Sequence, residues 1–264
     1  MAHNEALIRL PDGAGLWTRD SGGDGPAVVF AHPHSGNHCS WEAQWPAFVA
    51  AGYRAVAYSR RGYYRSDPVP EGACPSQSAD LAALLDALGI ERSHVVGSAA
   101  GGSTALDFAL AFPARTVSAV IASSLMSIDE PDYKAASARA RGPWFESLPI
   151  EARELSASFR AMDPEGAAAW RAIYDLNGFG ANGRPRAQRL QSSIDWKTLG
   201  ANSRPLLLMT GAADLYLPPA LLRAVAPRIG AAQAVVAADV GHPIFAEAPA
   251  LFNASVLAFL ASHA

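Results

Sequence analysis

Three positions in this chain have the setting for nucleophilic chemistry, and one of them lacks the atom that would perform it. Val95 and Val96 form a short apolar run that enters the small-residue cluster Gly97-Ser98-Ala99-Ala100-Gly101-Gly102, and a helical pattern with Leu106, Phe108 and Leu110 follows. A G-x-S-x-G turn between strand and helix needs glycine two residues either side of its centre, because the two backbones nearly touch there. The central residue is held in a strained conformation that lifts its side chain above the sheet edge. Gly97 and Gly101 supply those places, so the nucleophile position is 99, and it carries alanine. Shifting the register to Ser98 would put the branched Val96 where glycine is required. A serine at 99 would need a base and a group to orient that base. Asp214 follows the apolar run 205–210, and His242 stands between the last apolar run and the closing helical pattern. Alone, Asp214 reads as a turn or cap residue and His242 as weak. Nucleophile position, Asp, then His, each just past a strand, make one signal from three.

A second cluster invites a different chemistry. His32-Pro33-His34-Ser35-Gly36-Asn37-His38 follows the apolar run 27–31, and two or three imidazoles at such spacing can hold a metal ion. No matching His or Asp set at later strand ends completes such a site, so no metal and no cofactor is expected.

These residues must be placed by a sheet. Residues 5–20 read as two strands around the turn sequence Pro11-Asp12-Gly13-Ala14-Gly15. Residues 27–31, 53–58, 95–96, 117–122, 205–210 and 233–237 are short apolar runs, the pattern of strands buried on both faces of a parallel sheet. Residues 41–51, 76–88 and 247–260 carry helical periodicity, with Gly89 as a C-cap. From about 125 to 197 strand-like runs give way to charged and aromatic residues, among them Trp144, Trp170 and Tyr174. The expected class is α/β, with a core of residues 1–124 and 198–264 and a helical cap of residues 125–197.

On these motifs the chain resembles the α/β-hydrolase superfamily, over its whole length except the cap. The loop Arg60-Arg61-Gly62-Tyr63-Tyr64-Arg65-Ser66 is similar to the Arg-Gly-aromatic loop of that family, where a structural role is the simpler reading. The resemblance implies a mostly parallel twisted sheet flanked by helices, and a Ser-His-Asp triad at Ala99 (the serine's position), Asp214 and His242. It implies an oxyanion hole from the backbone N–H groups of His34 and Ala100, Pro33 standing where the family has glycine. Ser35, Trp144, Trp170, Tyr174 and Ile244 are expected on the substrate wall. Hydrolysis of a carboxylic ester or lactone is the implied reaction, and C–C bond hydrolysis uses the same parts. Two explanations of Ala99 compete: a serine deliberately replaced by alanine, or a natural alanine in a non-hydrolytic binding or sensing relative or in a cofactor-free enzyme that uses His242 as base. Retention of Asp214 and His242 favours the first, and the chain as written is expected to be catalytically dead.

Composition sets the remaining bounds. A net charge of −3 gives no electrostatic case for nucleic acid or an anionic membrane, and no apolar run is long enough for a membrane helix. Two cysteines and an N-terminus without a signal-peptide pattern fit a reducing, cytoplasmic setting. The expected partner is a small carbonyl-bearing molecule, apolar or aromatic, and the oligomeric state is not written in the sequence.

Overall fold

The computed structural model describes residues 4–179 and 185–263. Eight strands form one sheet in the order β1-β2-β4-β3-β5-β6-β7-β8. They are β1 (Asn4–Arg9), β2 (Gly15–Asp20), β3 (Ala27–Ala31), β4 (Arg54–Tyr58), β5 (Ser93–Ser98), β6 (Thr116–Ala122), β7 (Leu206–Gly211) and β8 (Ala232–Ala237). The first two are the expected hairpin, paired antiparallel from Asn4 opposite Asp20 to Arg9 opposite Gly15. From β4 to β8 every neighbouring pair is parallel.

Alternation along these apolar runs explains why both faces are covered. Val29, Val95, Ile121 and Leu208 point into one core, and Val28, Val96, Val120 and Leu207 into the other. Helices α2 (Gln77–Ala87) and α3 (Ala100–Ala111) fill the first core with Leu81, Leu84, Leu106 and Phe108. α1 (Trp45–Ala50) and the C-terminal helix fill the second with Trp45, Phe48, Phe252 and Val256. Helix ends follow local chemistry. Ser76 caps α2 by accepting the Ala79 N–H, and Gly89 takes the left-handed φ of +67° just beyond its end. The pattern over 41–51 resolves into a 3₁₀ turn, His38–Trp41, followed by α1. The pattern over 247–260 starts only at Pro249, because proline is favoured in a helix's first turn and not within one.

Between β6 and β7 the chain runs through α4 (Pro131–Ala140), α5 (Ile150–Glu154), α6 (Ala157–Met162), α7 (Pro164–Asp175) and α8 (Trp196–Gly200). α9 (Pro219–Val225), α10 (Ile244–Glu247) and α11 (Pro249–Ala261) complete the order. No helix among the described residues is long and apolar enough to cross a membrane.

The strand order reverses between β3 and β5, since β4 lies on one side of β3 and all later strands on the other. Open α/β sheets bind ligands beyond the carboxyl ends of the strands at such a reversal.

One buried group far from that edge gives a stability prediction. His94, in β5, is 1% exposed, binds Ser118 Oγ through Nδ1 at 2.8 Å, and has no partner at Nε2. Burial, with smaller contributions from His263 and Arg92, holds its pKa down from 6.5 to about 4. Between those values the unfolded chain binds a proton that the folded chain refuses, so stability falls as pH falls through the window. The loss attributable to His94 is on the order of 3 kcal/mol. Urea unfolding at pH 7 and pH 4 should show His94→Gln losing less stability than the parent by that amount.

Candidate active site

β5 and α3 meet at Ala99, whose φ of 50° and ψ of −113° are rare for a residue with a Cβ. Neighbouring backbone enforces this conformation. The Ala99 N–H donates to Ala122 O at 2.9 Å, and Ala99 O accepts from the N–H groups of Gly102 and Ser103. A Cβ on Gly97 would lie 2.1 Å from Gly101 O, and one on Gly101 would lie 2.0 Å from Ala31 O. Strand, turn and helix therefore pass within a distance only glycine permits. Gly101→Ala is expected to destabilise the fold by about 3 kcal/mol or more, because the blocking atoms are backbone and cannot rotate away. A denaturant melt checks this, and an unchanged midpoint would contradict the close approach.

Asp214 lies three residues past β7, and His242 five residues past β8. The imidazole Nδ1 sits 2.9 and 3.0 Å from the two carboxylate oxygens of Asp214. Asp214 Oδ1 also accepts the N–H groups of Tyr216 (2.7 Å) and Leu217 (3.0 Å), and Oδ2 accepts the Thr210 hydroxyl at 3.1 Å. A carboxylate so surrounded by donors cannot turn away from the imidazole. Burial alone would raise the pKa of Asp214, but the His242 charge and these hydrogen bonds bring it below 3.8. For His242, burial favours the neutral ring, and Asp214, aided by Glu154 and Glu247, outweighs burial to raise its pKa above 6.5. With Nδ1 committed to Asp214, Nε2 is the nitrogen left for a reacting group.

A cavity of ≈ 320 Å³ stands over this edge, and Ala99, Ala100, His34 and His242 all line it. The segment between β6 and β7 contributes Leu125, Glu146, Ile150, Arg153 and Glu154, and Tyr216 adds an aromatic wall 4.3 Å, centroid to centroid, from the His242 ring. His34, three residues past β3, binds Tyr63 Oη through Nδ1 at 2.7 Å and stacks on Phe179.

The other histidines of the cluster are engaged in the core. His32 is fully buried, with Nδ1 at 2.7 Å from Pro33 O, and Nε2 accepts the Arg60 N–H at 3.0 Å. His38 Nδ1 meets Ser59 Oγ at 2.9 Å. Among the described residues no three His, Cys, Asp or Glu side chains are grouped as a metal site requires. The arginine loop is braced in the same way: Arg61 grips both oxygens of Asp80 at 2.6 and 2.7 Å and reaches Asp12 at 2.7 Å.

Five residues expected on the substrate wall lie elsewhere. Trp144 is 54% exposed, its indole folded against Gly142. Trp170 and Ser35 line a separate, mainly apolar cavity of ≈ 190 Å³, and Tyr174 stacks against Trp170. Ile244 is fully buried in the second core. Aromatic character marked these cap residues, but an aromatic on a short helix fills the cap's own interior as readily as a pocket. The residues of the 125–197 segment that do reach the cavity, Leu125, Glu146, Ile150, Arg153 and Glu154, are charged or aliphatic and carried no distinguishing signal. Tyr216, two residues past Asp214, was within reach of sequence reasoning by proximity alone.

The chain is similar to known proteins in sequence and in fold. A model of the alpha/beta hydrolase family matches residues 28–255. The chain is 30% identical to a putative carbamate hydrolase, RutD, from Caulobacter sp. (strain K31), over 95% of this chain and 97% of that one. It is also 30% identical to 3-oxoadipate enol-lactonase 1 of Acinetobacter baylyi, over 72% of this chain and 71% of that one. The solved structure of a thermophilic esterase from Thermogutta terrifontis superimposes with a TM-score of 0.79 at 24% identity, covering 99% of this chain and 100% of that one.

Proposed function

Since the chain belongs to the alpha/beta hydrolase family, we propose that its site is built to hydrolyse a carboxylic ester or lactone through a serine at position 99, and that alanine there makes this chain a binder without turnover. One observation carries the reading: a buried imidazole fixed by Asp214 shares a cavity with the strained elbow residue Ala99. A non-glycine residue at positive φ costs about 1–3 kcal/mol and persists where function uses it. An alanine gains nothing from being held there, whereas a serine gains an exposed hydroxyl.

With serine at this position, its Oγ attacks the carbonyl carbon while His242 Nε2 removes the proton. Asp214 holds the imidazole in the tautomer with hydrogen on Nδ1 and balances the imidazolium. The N–H of Ala100, at the start of the twelve-residue α3, and that of His34 stabilise the oxyanion. The imidazolium then protonates the leaving oxygen. In the second half His242 activates water, the acyl group leaves as the acid, and the serine is regenerated. Leu125, Ile150 and Tyr216 on the wall suit a small substrate with an apolar or aromatic part.

The test is Ala99→Ser assayed against aryl esters and aryl lactones. A folded Ala99→Ser protein that turns over neither would sink the hydrolase reading and leave a ligand-binding protein.

A further inference from the structure

The proposed mechanism makes no use of Glu154, a second carboxyl that faces the same cavity as His242. It is the last residue of α5, only 6% exposed, and it lines the cavity beside His242. Its main-chain oxygen accepts the His242 N–H at 2.8 Å. Its carboxyl Oε2 accepts the Ser35 hydroxyl at 2.6 Å. Ser35 directly follows His34, so one cap residue grips both the loop that carries the base and the loop proposed to carry an oxyanion donor.

The grip is reinforced one turn on. Glu247 accepts the Ser156 N–H on Oε1 at 2.7 Å and the Gly241 N–H on Oε2 at 2.9 Å. A Cβ on Gly241 would fall 2.6 Å from Ser156 N and 2.7 Å from Glu154 O, so cap and base loop are in backbone contact. That contact alone would hold the cap without a charged group at 154. A buried carboxylate with no cation bonded to it is costly, and docking of this segment does not require one. Arg153, its neighbour, is bonded to Glu146 at 2.8 Å instead. The charged or titratable groups facing Glu154 are His242, Asp214, Arg153 and Tyr216; those facing His242 are Asp214, Glu154, Glu247 and Tyr216.

We propose that Glu154 is a positioning residue for the hydrolysis proposed above: a carboxyl on the cap that holds the His34–Ser35 loop and sets its charge beside the His242 imidazole, so that the constellation is complete only while α5 is docked. The carboxyl accepts no covalent bond and carries no proton through the reaction. It supplies geometry to one loop and field to the other. Burial raises the pKa of Glu154, and the His242 charge and the Ser35 hydroxyl oppose that rise, so the imidazolium formed during attack is also the state that best keeps Glu154 ionised.

Two measurements test this, and the first needs no activity. In the parent chain, the His242 imidazole is titrated by NMR with Glu154 present and in Glu154→Gln. The glutamine keeps an acceptor for Ser35 and removes the charge, so the His242 midpoint is expected to fall. An unmoved midpoint overturns the electrostatic half of the proposal. In the Ala99→Ser chain, Glu154→Ala is expected to lower kcat roughly ten- to a hundred-fold, with KM nearly unchanged. Ser35→Ala, which breaks the same hydrogen bond from the far side, should lower kcat in the same direction even where Glu154→Ala proves too unstable to purify. Glu154→Gln should restore part of the kcat lost in Glu154→Ala. A rise in KM at constant kcat would instead make Glu154 a substrate-binding wall and overturn the positioning role. Silence of Ala99→Ser itself would defeat the hydrolase reading while leaving the titration to judge Glu154.

Discussion

Ala99→Ser is expected to raise kcat for a suitable aryl ester or lactone by on the order of 10⁵–10⁶ over the parent chain. The upper figure is the loss seen when a serine protease, subtilisin, is stripped of its nucleophile. The gain should be close to it here because nothing else needs to move. The backbone at 99 already holds φ 50°, His242 is already bonded to Asp214, and Gly97 and Gly101 already clear the turn. A serine has the same Cβ as alanine and adds one oxygen, directed at the cavity that Ala99 lines. Steady-state assays of both proteins on a panel of aryl esters and lactones read the ratio directly. A ratio near one, with both proteins folded, would mean that the elbow does not present the hydroxyl to the base.

The second large effect is Asp214→Asn added to Ala99→Ser, expected to lower kcat about 10⁴-fold, the scale known for the same exchange in a Ser-His-Asp protease. Asp214 has only acceptors to offer, and it spends them on His242 Nδ1, two backbone N–H groups and the Thr210 hydroxyl. An asparagine must turn its NH₂ toward one of these donors. Facing the imidazole, the NH₂ would select the tautomer with hydrogen on Nε2, the nitrogen that has to accept the serine proton. The exchange also removes the main group that raises the His242 pKa. The imidazole would then stay neutral to lower pH. The residual kcat/KM of the double variant should therefore begin its acid decline at lower pH than that of Ala99→Ser alone. A full pH profile of both proteins checks magnitude and direction together.

How much of this was legible beforehand follows from which residues carry local constraints. The strand cores could be read because continuous apolar runs such as Val28–Phe30 and Leu206–Met209 are buried on both sides and leave no polar face to confuse the pattern. Asp214 and His242 could be read because each follows a strand whose end must lie on one sheet edge, and parallel pairing brings those ends together. The cap wall could not. Ile150, Arg153 and Glu154 sit on a five-residue helix whose direction is set by contacts with Gly241, His242 and Ser35, all remote in sequence. Side-chain type pointed to Trp144 and Trp170, while tertiary packing gave one to solvent and the other to a second cavity. The split of the closing helix was foreseeable from Pro249 alone.

The crowding around Gly97 and Gly101 has a consequence for what this scaffold tolerates. The conformation of residue 99 is imposed by main-chain atoms of β3, β6 and α3, so it does not depend on which side chain stands there. The elbow is a socket whose shape is set by backbone atoms. Exchange of the Ala99 methyl for a hydroxymethyl is expected to leave the glycines either side unmoved. Substitution at position 99 is thus expected to leave folding intact, whereas substitution two residues away is expected to disturb it.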